Sequence, residues 1–176
     1  MAPRFGRGGD QVVTQRDTWE AELLGLGRAF VFICPLEFIS GGSDQALCFL
    51  TNGTQYGLLV DDIDITAFDP TVTINYKMIL NPTFVDTANM APGVPVACNR
   101  TKPQSAHIAS AFFLIAVAQV PPTGGTVIWN GNVEAGGGQG TTRAPKILLA
   151  TGDSILLTLN TGVFNIGAAA IKFHHV

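Results

Sequence analysis

The chain has 176 residues, enough for one domain with its own core; 47% are hydrophobic and only 13% are charged. Soluble globular proteins average about 25% charged residues, so sister copies or a partner are expected to cover part of this exterior; the alternative is a monomer coated with Gly, Thr, Ser and Asn. A net charge of −3 with no basic block argues against a dedicated nucleic-acid surface, and no apolar run is long enough for a membrane-spanning helix.

Residues 1–18 differ from the rest. Pro3, Gly6, Gly8 and Gly9 surround one large apolar side chain, Phe5, too little to order the segment alone. Two readings stand: a frayed terminus, or an arm that orders on a neighbouring subunit through Arg4, Phe5, Arg7 and Arg16. Arg4 and Arg7 have no apolar stretch behind them, so no secretory signal is expected. Trp19, Leu23 and Leu26 have the spacing of one short helical turn, which Gly25 and Gly27 limit.

Strands are expected from residue 29 onward. Residues 29–38 and 46–50 are β-prone runs, and Asn52-Gly53 carries the signal of a hairpin turn. In 58–67, Leu59, Asp61, Ile63 and Ile65 alternate against Val60, Asp62, Asp64 and Thr66, the pattern of a half-buried strand with one acidic face. Residues 72–80 form the next run, ended by Asn81-Pro82-Thr83 because proline cannot continue a ladder. Residues 84–105 read as a long irregular connection with one β-like piece at 94–97. Residues 106–120 are apolar throughout; a buried helix would fit the periodicity, but β-branched content and Pro121-Pro122 favour a strand. Residues 126–133 are a strand, 135–140 a glycine-rich loop and 142–149 a strand. The turn at 151–154 leads into 155–159, and 168–175 close the chain. Closing strands of this kind belong in the middle of a sheet. The fold class is all-β: an antiparallel, jelly-roll-like β-sandwich over 19–176, preceded by the arm at 1–18, with nine or ten short strands.

Asp61, Asp62 and Asp64 are the densest acidic group. Asp62 and Asp64 share a face of a strand and are the weak candidates for a cation such as Ca²⁺; a solvated strand face is the commoner meaning. His174 and His175 are adjacent and so point to opposite faces, which prevents joint chelation; His107 stands apart. No Cys-x-x-Cys, His-Glu-x-x-His or Gly-x-Ser-x-Gly spacing occurs. The glycine run at 136–140 lacks the Lys-Ser/Thr of a phosphate loop. No catalytic residue and no cofactor is therefore expected. Cys34, Cys48 and Cys98 sit in or beside apolar runs and read as buried, reduced thiols. Trp19, Tyr56, Tyr76 and Trp129 are candidates for stacking on sugar, with core packing as their commoner fate.

Several turn motifs carry a resemblance. They are Cys48-Phe49-Leu50-Thr51-Asn52-Gly53-Thr54 with the acidic strand after it, the segment ending in Asn81-Pro82-Thr83, Pro92-Gly93-Val94-Pro95-Val96-Ala97-Cys98-Asn99-Arg100, Gly152-Asp153-Ser154, and the Ala-rich closing strand. Together they span most of 45–176, and the chain resembles the jelly-roll decoration or cement proteins of tailed-bacteriophage capsids. The resemblance implies a non-enzymatic virion subunit made in the host cytoplasm. It would be a homotrimer, seated on the major capsid protein without nucleic acid or membrane. A receptor- or glycan-binding jelly roll of a head fibre or tail, using loops 84–105 and 134–141, is the alternative. A cupin-type enzyme would need at least two histidines converging inside a barrel.

Overall fold

The computed structural model describes residues 28–35, 44–67, 73–88, 90–98, 110–114, 120–133, 139–142, 146–160 and 167–176. Every regular element among them is a strand. In chain order they are β1 (Ala29–Pro35), β2 (Gln45–Thr51), β3 (Leu58–Ala67), β4 (Ile74–Leu80), β5 (Met90–Gly93) and β6 (Val96–Ala97). They continue as β7 (Ser110–Leu114), β8 (Thr126–Val133), β9 (Gln139–Thr142), β10 (Ile147–Leu149), β11 (Ser154–Asn160) and β12 (Gly167–His175).

The strands form two six-stranded sheets. The first runs β10-β3-β12-β1-β6, with β9 beside β3 further along the edge that β10 occupies. The second runs β5-β7-β2-β11-β4-β8. The pairings are antiparallel. From β1 to β4 the chain changes sheet at each step, and it does so again from β10 to β11 and from β11 to β12. Asn52-Gly53 is therefore not a hairpin turn, because β2 and β3 lie in different sheets.

One core cluster draws on both sheets: Phe30, Phe32 and Cys34 from β1, Val60, Ile63 and Ile65 from β3, Ile171 and Phe173 from β12, against Cys48, Leu50, Ile74, Met78, Ile155 and Leu157. This is the interdigitated interior of a sandwich. Both closing strands are central, β12 between β1 and β3 and β11 between β2 and β4. Ile155, Leu157 and Leu159 point into that core, while Leu156 joins a smaller cluster on the far side of the second sheet with Ala46, Ile79 and Met90. β11 is thus buried on both faces, which explains why its sequence is an apolar run broken only by Thr158 between Ile155 and Leu159, rather than an alternation.

Three further expectations need correction. The connection at 84–105 contains β5 as well as β6, with β5 paired to β7. Gln139 and Gly140, read as loop, begin β9. Cys34 and Cys48 are buried, but Cys98 is exposed. The arm at 1–18, the helical turn at 19–26, His107 and Trp19 lie outside the described residues.

Candidate functional site

The outer face of the first sheet carries the charged residues of β3 and β12. Its arrangement depends on a β-bulge. Lys172 pairs with Asp62 and the next residue, Phe173, pairs with Val60, so Asp61 is an extra residue in β3. Alternation resumes beyond it. The buried positions are Leu58, Val60, Ile63 and Ile65, instead of the Leu59, Asp61, Ile63 and Ile65 of strict alternation. The bulge keeps Val60 in the core and puts Asp61 with Asp62 and Asp64 on the acidic side.

Two lysines and a histidine meet the carboxylates of that side. Lys172 Nζ donates to Asp64 Oδ2 at 2.9 Å. That hydrogen bond, aided by the charges of Asp64 and Asp62, holds the Lys172 ammonium above its ordinary pKa against a smaller opposing effect of partial burial. Lys146 Nζ lies 3.5 Å from Asp61 Oδ1, and His174 Nδ1 is paired with Asp61 Oδ2. The cation candidates Asp62 and Asp64 thus share a face as expected, but it is the ammonium of Lys172 that sits on Asp64. Among the described residues no group of three or more His, Cys, Asp or Glu side chains is placed to hold a metal ion. His174 and His175 point apart: His174 meets Asp61, while His175 packs in T-shaped contacts with the rings of Phe30 and Tyr56.

Apolar side chains flank this charged stripe. Val31 pairs with Val96 on one side and Lys172 on the other, so the three share a face. Ile33, two residues along β1 on that face, is 57% exposed and Val96 is 51% exposed. Leu148 of β10 is exposed beyond the other edge of β3.

A second constellation lies at one end of the sandwich, where three turns that are far apart in sequence meet. Asn52 is fully buried; its Nδ2 donates to Tyr56 O at 2.8 Å and Leu149 O at 3.0 Å, and its Oδ1 accepts from Thr54 N and Oγ1. Its main chain exchanges hydrogen bonds with the third turn, Asn52 N to Asp153 O and Gly152 N to Asn52 O. Asn81 Nδ2 donates to Asp153 Oδ1 at 2.9 Å, and Asn81 Oδ1 accepts from Ser154 N at 2.7 Å. Asp153 Oδ2 accepts from Ala150 N at 2.9 Å. The hydrogen bonds from Asn81 and then Ala150 lower the pKa of Asp153. These motifs are architectural: they satisfy backbone groups where the chain crosses between sheets.

Of the aromatic candidates for sugar stacking, Tyr76 and Trp129 pack on each other with ring centroids 4.6 Å apart at the core, whereas Tyr56 is 40% exposed. The arm residues Arg4, Phe5, Arg7 and Arg16 lie outside the described residues. Sequence reasoning did not foresee Lys172, Lys146 and His174 as partners of the aspartates; the three acidic residues of β3 and the lone lysine of β12 were the available signal. Comparisons with protein-family models, with curated proteins and with solved structures found no match.

Proposed function

We propose that the chain is a non-enzymatic structural subunit that assembles with copies of itself and decorates the capsid of a tailed phage. The observation that carries this reading is the outer face of the first sheet, where Ile33 and Val96 stand exposed beside a charged stripe whose lysines are already engaged with aspartates. Burying such apolar surface contributes roughly 25 cal/mol per Å², and the internally paired stripe adds little long-range repulsion against a neighbour. The low share of charged residues, 13%, points the same way. What supports a jelly roll is the strand order: β1-β12-β3-β9/β10 in one sheet and β2-β11-β4-β8 in the other follow the nesting of two Greek keys, with β5, β6 and β7 as an insertion after β4.

The test combines light scattering with capsid sedimentation. A multimer in solution, trimeric on this reading, that co-sediments with capsids is expected, and deletion of residues 1–18 should weaken capsid binding while leaving the circular dichroism spectrum unchanged. A monomer at every concentration that never co-sediments overturns the proposal.

A further inference from the structure

Three side chains far apart in sequence meet on the outer face of the second sheet. Asp44 immediately precedes β2, Lys77 lies in β4 and Asn160 ends β11. One carboxylate oxygen of Asp44 accepts from Lys77 Nζ at 2.5 Å, and the other accepts from Asn160 Nδ2 at 3.4 Å. In the β4–β11 register Lys77 opposes Thr158 and Asn160 opposes Asn75, so Lys77 and Asn160 are diagonal neighbours on one face. Diagonal neighbours in an antiparallel pair lie about 7–8 Å apart, a gap that the four-carbon stem of lysine can span.

An ordinary surface ion pair has no need of a primary amide on the far oxygen of its carboxylate. A carboxylate that holds an ammonium on one side and an amide on the other is within reach of both, as a proton carrier between them must be. The geometry points to a modification site: an amide crosslink between Lys77 Nζ and Asn160 Cγ, formed by the chain itself with Asp44 as proton carrier.

The step balances without an oxidant or a co-reactant. Asp44 takes one proton from the Lys77 ammonium, and the neutral amine attacks Asn160 Cγ. Asp44 returns the proton to Nδ2, and the Cγ–Nδ2 bond breaks as the new Cγ–Nζ bond is kept. A second proton shed by Nζ follows the same route. Nδ2 thus leaves as ammonium, Nζ keeps one hydrogen, and Asp44 ends as the carboxylate it was at the start. The product ties β4 covalently to β11. The reaction belongs to this chain alone and does not depend on which particle, if any, it serves.

Intact-mass measurement of the full-length protein tests this directly, before and after incubation in alkaline buffer, which enlarges the neutral fraction of lysine amines. The expected product is lighter by one ammonia, about 17 Da, and yields a branched tryptic peptide containing both Lys77 and Asn160. Lys77→Arg, Asn160→Ala and Asp44→Asn should each keep the full mass. Asn130→Ala, which alters the amide directly opposite Lys77 in β8, should still lose ammonia. Folded wild-type protein that keeps its full mass and gives only linear peptides overturns the proposal. So does a crosslink that forms equally fast in Asp44→Asn.

Discussion

Asn81 and Asp153 clasp each other across the end of the second sheet, side chain to side chain at 2.9 Å, while Asn81 also exchanges two hydrogen bonds with the Ser154 backbone. Asn81 has a φ of 49°, a left-handed conformation that Asn and Gly tolerate best. Replacing it by alanine removes the clasp and adds backbone strain. Asn81→Ala is expected to lower unfolding stability by about 1–3 kcal/mol. Asn81→Gly, which relieves the strain but not the lost bonds, should cost less. Urea melts of the two variants check the order; equal losses would mean that the backbone conformation is irrelevant.

The same clasp makes a prediction about acid. The carboxyl of Asp153 has a lowered pKa in the fold, first through Asn81 and then through the Ala150 amide. A lowered folded value means that its contribution is fully present above the unfolded pKa, near 3.9, and is lost as pH falls through the folded one. Wild-type stability should therefore fall with acid below about pH 4 more steeply than that of Asp153→Asn. Urea midpoints taken across that range would show the two curves converging at low pH.

Gly131 is required by Tyr76. A Cβ at Gly131 would stand 2.2 Å from the Tyr76 hydroxyl oxygen and 2.6 Å from the ring carbon that bears it, and the ring is itself held against Trp129. Gly131→Ala is expected to cost about 1–3 kcal/mol through overpacking. Combined with Tyr76→Phe, which removes the closest atom, it should cost less than the two single changes added together. Strict additivity would show that the tyrosine does not sit over the glycine in solution.

The cysteines should react in a fixed order. Cys98 is exposed, while Cys34 and Cys48 are buried in the core. Burial, and then the neighbouring Cys34, pushes the Cys48 thiol well above its usual pKa. Iodoacetamide should label Cys98 alone in the native protein, slowly because its own pKa is raised by partial burial. Cys34 and Cys48 should become reactive only in denaturant. Mass spectrometry of peptides gives the order of labelling, and early modification of Cys48 would contradict the core described here.

Much of the sandwich was legible because strand runs bounded by Gly, Pro, Asn and Asp announce themselves locally. The largely apolar run Ile155 to Leu159 and the closing strand were read as sheet interior, and both are central. Where the sequence misled, a distant partner decides the outcome. Asn52-Gly53 has the local chemistry of a hairpin, yet Asn52 serves Leu149 and Asp153 on a later turn. The bulge at Asp61 is visible only through the register against Lys172 and Phe173. The acidic face was legible from alternation, but the positions before the bulge were out of step by one for that reason. The short strands β5 and β9 carry too few residues for a period to register.

The placement of the two last strands has a consequence for biosynthesis. β1 needs β12, and β2 and β4 both need β11. The four strands β1 to β4 therefore leave the ribosome before the central strand of either sheet exists. Productive folding must wait until residue 175 has emerged and then proceed through pairings that are remote in sequence, which is a slow regime. High-level expression should accordingly reward lower temperature and slower translation, conditions that shorten the queue of unpartnered nascent strands.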